Sequence, residues 1–397
     1  MNHDQTTLLQ PFVAAAQGIL ARTLGGPVRL GDAEILRDFG YPKVLRCKIQ
    51  EAPSDVGTKI VIKRCGVRND GTYDPAYKNH ALLSEWAGAR FLQDLDAAPP
   101  LGPRCLGGDQ GSGIVLVEDL GDGKSLADVL QGDDRVSLEN GLLQYSASLG
   151  RLHAATAGRA AELEAAWSSL GTRWEASETP YRQAESWAHE NATPFREGCE
   201  SLQVAVATGF AEEARAVWEA MARPGPFLAF TPGDTCPDNH RLTADGYVRF
   251  FDFEACGFRH ALLDAAYCHA PFPTCWCVQR LPIPLAPRMT DAYRGELIQG
   301  CPEAGDDDIF YTALAHACAS WAVSVASWHL TEAMENDRPT GLVSLRQRVV
   351  LNLDSFVETA DRLGKLPALR DTANALATKL RSLWGDDAKT LYYPALR

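Results

Sequence analysis

Two hydrophobic periods divide this chain of 397 residues, and the change from one to the other limits what it can fold into. Before about residue 120, apolar residues alternate in short runs, "KVLRCKIQE" (43–51) and "TKIVIKRCG" (58–66), separated by the turn residues "APSDVG". Period two with turn residues between the runs predicts antiparallel strands. One helix, "HALLSEWAGARFLQDL" (80–95), sits among them, and "PRCLGGDQGSGIVLVEDLGDG" reads as a short strand, a Gly-rich turn and a longer strand ending near Leu120. A further helix is expected over 7–24. After Gly123 the period becomes helical: "SLADVLQG" opens at Ser125, a capping residue type, and "SLENGLLQYSASLGRLHAATAG" ends at Gly158. Two more helical stretches are expected before Pro224. The fold class is therefore α+β, with a small β-rich lobe (1–119), a larger helical lobe (120–397) and a joint at 118–123.

One strand pair interrupts the helical part. In "HRLTADGYVRFFDF" the pair Asp245-Gly246 stands between apolar runs, a strong hairpin signal. Closing that hairpin folds Asp252 back beside Asn239. Their carboxylate and amide oxygens are hard ligands, suited to Mg²⁺ carrying a nucleotide's phosphates. Asp234 lies earlier on the same loop, "FTPGDTCPDN" (230–239), placed to accept or orient a hydroxyl proton. Phosphoryl transfer asks mainly for positioning and charge neutralisation. Lys63, within "KIVIKR", is the candidate cation for the phosphates, with Glu85 on the internal helix of the same lobe to hold it.

These motifs resemble the aminoglycoside phosphotransferase and choline kinase family, which shares the protein-kinase-like bilobal fold. "PGDTCPDN" keeps the family's Gly, Asp and Asn as Gly233, Asp234 and Asn239, with Pro232 where the family has His. Asp252-Phe253-Glu254 matches its metal-binding motif, Gly257, Asp264 and Ala266 its continuation, and Leu152-His153 its Leu-His helix. The resemblance spans about 30–270. It implies a phosphotransferase with an alcohol acceptor, using Mg²⁺ and ATP (or GTP). It makes Asp234 the catalytic base and Asn239 and Asp252 the metal ligands. Lys63 would bind the α and β phosphates, held by Glu85, and the backbone of Glu118, Asp119 and Leu120 would meet the base. The phosphate-covering loop would hold Gly40 alone, with Pro42 close behind it, although such loops gain from glycine and lose a donor at proline. Pro232 and this loop favour the alternative, a non-catalytic nucleotide-binding scaffold or sensor. The intact catalytic set favours the enzyme.

Other features set bounds. The net charge of −13 argues against nucleic acid and anionic membranes as partners and is compatible with a cationic small-molecule acceptor such as an aminoglycoside or amino alcohol. Neither oligomeric state nor acceptor is legible. The N-terminus has no secretion-signal pattern, so a cytoplasmic location is expected, with the eleven cysteines reduced and mostly packed, Cys236 among them. No CxxC pair marks a zinc site. The segment 309–330 carries no Asp, Glu, Lys or Arg, but its Ala, Ser and His content reads as a buried helix rather than a membrane span. His153 reads as a core histidine and Asp264 as a structural residue bonding backbone N–H groups near the loop. Glu254 stays open between a substrate contact, a second metal contact and a solvated rim. Trp328, His329, Glu332, Glu335 and Asp337 read as a solvated helix end, with an aromatic and acidic substrate wall as the alternative. The Pro-rich 271–288 reads as a loop on one rim of a cleft.

Overall fold

The structure, a computed structural model, describes residues 3–38, 42–54, 56–65, 75–171, 180–243, 245–270 and 272–397, and within them the side chains other than those of 3–8, 38, 42–43, 75–79 and 180–190. The chain is α+β. Helix α1 (His3–Leu24) precedes strands β1 (Arg29–Asp38), β2 (Pro42–Glu51) and β3 (Lys59–Arg64). Helix α2 (Pro75–Asp94) is followed by β4 (Cys105–Asp109) and β5 (Ile114–Glu118). These strands form one sheet in the order β1-β2-β3-β5-β4, antiparallel throughout.

Strand alternation assigns the two faces of this sheet. Ile60 and Ile62 of β3 point one way, with Leu45, Cys47, Ile114 and Leu116, and are covered by Ala16, Ile19 and Leu20 of α1. Val61 and Lys63 point the other way, opposite Val117 and Val115 in register, on the face that meets α2. The period of two thus buries one set of side chains under α1 and aims the next set at α2 and the cleft.

From Glu118 the chain turns through Gly121 into α3 (Leu126–Leu130). Ser125 caps α3 and exchanges hydrogen bonds with Asp128, so the expected cap is present as a full capping box. Then come α4 (Arg135–Thr156), α5 (Ala160–Ser169), α6 (Pro180–Ser201) and α7 (Phe210–Ala222). Among the described residues between Gly158 and Pro224 there are thus three helices, not two. Strands β6 (Leu228–Thr231), β7 (His240–Leu242), β8 (Val248–Phe250) and β9 (Gly257–His260) form two ladders, β6 with β9 and β7 with β8. The chain continues through α8 (Leu262–Ala265), α9 (Leu285–Leu297), α10 (Asp307–Glu335), α11 (Leu345–Leu363) and α12 (Pro367–Trp384).

The hairpin expected at Asp245-Gly246 is the β7–β8 ladder, with His240 opposite Phe250. Helix α10 is long and apolar enough to cross a membrane, yet it is mostly buried against the other helices. The segment expected to be loop over 271–288 ends earlier, because α9 begins at Leu285. Strand β1 carries no separate expectation: "RLGDAEILRD" alternates poorly, and its pairing with β2 is interrupted by four register shifts rather than running evenly.

Candidate active site

The loop between β6 and β7 and the loop between β8 and β9 emerge side by side. Phe251 N–H donates to Asn239 O at 3.1 Å, continuing the hairpin ladder by one step. That bond brings the backbone of the second loop against Asn239. Asp252 follows with φ of +73°, a left-handed conformation that Asp tolerates better than bulkier residues.

Lys63 reaches into the same space from β3. Its Nζ lies 2.6 Å from Asp252 Oδ1 and 2.8 Å from Glu85 Oε2. Lys63 and Glu85 are 7% and 1% exposed, so this ion pair is formed away from water. Burial opposes the lysine's charge, but Asp252, then Glu85 and Glu254, more than offset it and hold the ammonium's pKa above its ordinary value. Burial pushes the Glu85 carboxyl up to about 7 against the opposing pull of Lys63. Glu85 Oε2 also accepts from Phe253 N–H at 2.6 Å, so one carboxylate on α2 holds both the lysine and the backbone beside Asp252.

The preceding loop is folded on itself. Gly233 has φ of +88°, and a Cβ there would stand 2.1 Å from Ala255 O, which ties this turn to the second loop. Asp234 Oδ1 accepts from Cys236 N–H at 3.2 Å, and Asn239 Nδ2 donates to Asp234 O at 3.2 Å. Asn239 is buried, while Asp234 is exposed and stands beside, not in, the lining of the cleft described next. Burial, with Asp252 and Asp238 adding like charge, raises the Asp234 carboxyl's pKa despite the Cys236 N–H.

The cleft over this site is lined by Leu36, Val61, Val117 and Phe251 as apolar walls, and by Lys63, Asn239, Asp252 and Glu254 at its polar end. Glu118, Asp119 and Leu120 line it as well. Glu118 N–H donates to Arg104 O at 2.9 Å, and Asp119 pairs with Arg46 Nε at 2.9 Å. Gly40 lies outside the described residues.

Several residues at the site carried no sequence expectation. Arg37 of β1 donates to Asp238 Oδ2 at 3.1 Å and comes within 4.0 Å of Asp252 Oδ2. Trp276 Nε1 donates to the same Asp238 oxygen at 3.2 Å. Asp238 stands inside the quoted loop motif, so it was within reach of sequence reading. Arg37 and Trp276 meet it only through the tertiary fold. The expectation of reduced, inert packing fails for Cys236, which is disulfide-bonded to Cys275 across 39 residues. No local spacing announces such a pair. The remaining cysteines are free, and all but Cys105 are buried.

His153 is a core histidine, its Nδ1 2.8 Å from Tyr293 OH. Its Nε2 lies 3.5 Å from Asp264 Oδ2, so Asp264 meets a side chain here, where backbone N–H partners were expected. In the C-terminal set, Glu332 pairs with Arg338 and Asp337 accepts from Arg346 N–H, both local uses at the end of α10. Trp328 is exposed and packs edge-on to Trp321, which in turn meets Tyr267.

No protein-family model matches the sequence, and no curated protein matches it. Among solved structures, the chain is similar to a choline kinase from Streptococcus pneumoniae, with 13% identity, 89% of this chain and 99% of that one covered, and a TM-score of 0.43. It is similar to an aminoglycoside phosphotransferase from Alicyclobacillus acidocaldarius, with 12% identity, coverage of 89% and 92%, and a TM-score of 0.39. It is also similar to an amicoumacin kinase in complex with AMP-PNP, Ca²⁺ and its ligand, with 11% identity, coverage of 91% and 96%, and a TM-score of 0.48.

Proposed function

We propose that this protein is a small-molecule kinase that moves the γ-phosphoryl group of ATP or GTP to a hydroxyl of a small acceptor. The observation that carries the proposal is the buried Lys63, held between Glu85 and Asp252 at 2.8 and 2.6 Å where the β7–β8 hairpin ends. A lysine sequestered with two carboxylates in a cleft is poorly explained by stability, since such pairs seldom exceed the cost of desolvating them. It is well explained as a phosphate-binding cation fixed in direction.

The roles follow from the chemistry of each group. Lys63 neutralises the phosphates, and Glu85 keeps it aimed. Asp252 and the Asn239 amide oxygen are hard oxygen donors that would hold Mg²⁺, which would supply charge neutralisation at the nucleotide's phosphates. Asp234, its carboxyl more basic than an ordinary Asp, takes the proton of the acceptor hydroxyl. Leu36, Val61, Val117 and Phe251 would sandwich the base. The Glu118 N–H is committed to Arg104 O, so the base edge would meet the backbone of Asp119 and Leu120.

The division into a nucleotide-side lobe (1–119) and an acceptor-side lobe (120–397), and a cytoplasmic location, belong to the same reading. The acceptor class follows only the acidic balance of the chain, which suits a cationic molecule. Incubation with Mg²⁺-ATP and a panel of aminoglycosides, amino alcohols and sugars, followed by detection of phosphorylated product, tests the proposal. Product with at least one hydroxyl acceptor is expected from the wild type and should fall by about 10²-fold or more in Asp234→Ala. Equal product from both proteins would remove Asp234 from its role.

A further inference from the structure

We propose that Cys236 and Cys275 form a thiol switch whose disulfide positions Asp234, so that reduction slows phosphoryl transfer. The inference rests on the kinase reading above and adds a modification site to it. Cys236 stands between Asp234 and Asn239 in the catalytic loop, and its backbone N–H is the donor to Asp234 Oδ1. Both sulfurs and an Asp234 carboxylate oxygen lie within 4.8 Å of one another. Whatever moves Cys236 moves the hydrogen bond that orients the base.

The partner side is anchored independently of the bond. Arg348 of α11, itself 3% exposed, donates to Pro273 O at 2.6 Å, Cys275 O at 2.9 Å and Thr340 O at 2.7 Å. Leu342 N–H donates to Trp276 O at 2.7 Å, and Tyr267 OH meets Thr274 Oγ1 at 3.1 Å. Cys275 therefore stays in place whether or not it is bonded. With the disulfide broken, Trp276 Nε1 still donates to Asp238, a partly exposed carboxylate, and so joins this segment to the catalytic loop. Two thiol sulfurs must also part to van der Waals separation, a displacement on the order of 1 Å. The Cys236 side is held by fewer bonds, Asn239 N–H to Cys236 O at 2.9 Å and Ala127 N–H to Pro237 O at 3.0 Å, and we assign the displacement to it. A misplacement of this size near a reacting group can slow a reaction by up to about 100-fold.

The redox step balances with a low-molecular-weight disulfide as oxidant. One cysteine thiolate attacks it and releases one small thiol. The second cysteine then attacks the mixed disulfide, closes the Cys236–Cys275 bond and releases the other small thiol. The protein gives up two electrons and two protons, and the oxidant becomes two thiols. In a reducing compartment, disulfides that form at all tend to be transient and regulatory.

The test uses the full chain, prepared with glutathione disulfide or with dithiothreitol. Peptide mapping without reduction should recover Cys236 linked to Cys275 from the first preparation only. Hydrogen exchange across 233–239 should quicken on reduction. Mg²⁺-ATP turnover should fall roughly 10- to 100-fold, by more than the ATP dissociation constant rises. Cys236→Ser and Cys275→Ser should each resemble the reduced protein and ignore dithiothreitol. Should one serine variant fail to fold, the other and the reduced wild type carry the same comparison. Absence of the linked peptide, or equal loop exchange in the two states, would overturn the switch. So would equal turnover. Redox-dependent exchange in a protein that binds no nucleotide in either state would instead overturn the kinase reading and leave the tether standing.

Discussion

At Lys63, two carboxylates share one ammonium in the interior. Removing that cation strands Glu85, which is 1% exposed, and Lys63→Met should cost about 3–5 kcal/mol in urea denaturation. Adding Glu85→Gln to that variant should recover part of the stability and none of the turnover, which separates the lysine's structural contribution from its chemical one. Full recovery of turnover in the double variant would mean that Lys63 does not touch the phosphates. Asp234 makes a second prediction. Burial and its like-charged neighbours raise its carboxyl pKa, and the base must be ionised to work. The acid limb of the kcat/KM profile should therefore lie above the ordinary Asp value of about 3.9, with the rate falling as pH drops through it. An acid limb at or below that value would contradict the assigned base. The spacing of Asp234, Asn239 and Asp252 was readable because it depends on one short loop and one Asp-Gly hairpin. Arg37 was not, because it meets Asp238 across 201 residues of chain and nothing local encodes that approach.

Helix α2 carries Glu85, and its distance from the β8–β9 loop decides whether that carboxylate reaches Phe253 N–H. Gly88 sets that distance: a Cβ there would lie 2.8 Å from Cys256 Sγ and 3.0 Å from Phe253 Cβ. Gly88→Leu should push α2 off the loop, lower stability by about 1–3 kcal/mol and weaken Mg²⁺-nucleotide binding together with it. A destabilised variant with unchanged nucleotide affinity would show that α2 does not control the site. At this scale the sequence was readable where period and caps are strong, as in β2, β3, α4 and the Ser125 cap. It was less so for β1, whose irregular register disperses its apolar residues, and for α5 to α7, where helical patterns run close together. The disulfide belongs to neither periodicity and could not be read from either.

At the scale of the whole molecule, His240, His260 and His269 among the described residues are held neutral inside the fold. Burial depresses His240, His260 and His269 from 6.5 to about 3. The unfolded chain takes up protons near pH 6.5, while the folded one refuses them until about 3. Their contribution to stability is therefore complete above 6.5 and lost as pH falls through that window. Glu85 acts in the opposite sense between 4.5 and about 7, its contribution diminishing as pH rises, as do the raised carboxyls of Asp234 and Glu358, while His316 and His329, also lowered by burial, add to the histidine side. Thermal melts from pH 7 to 4 should show a falling midpoint; a flat profile would mean that these histidines protonate in the native state.

The central claim is a Mg²⁺-dependent nucleotide site at Lys63, Asn239 and Asp252. The most direct measurement is a thermal-shift titration with ATP and with GTP, each with and without Mg²⁺, on the wild type and on Asp252→Ala. At about a hundred times the dissociation constant, nucleotide should stabilise the wild type by roughly 2.7 kcal/mol, a rise that requires Mg²⁺ and is lost in the variant. No rise with either nucleotide would contradict the account and favour a scaffold that has kept the residues of a kinase without its chemistry.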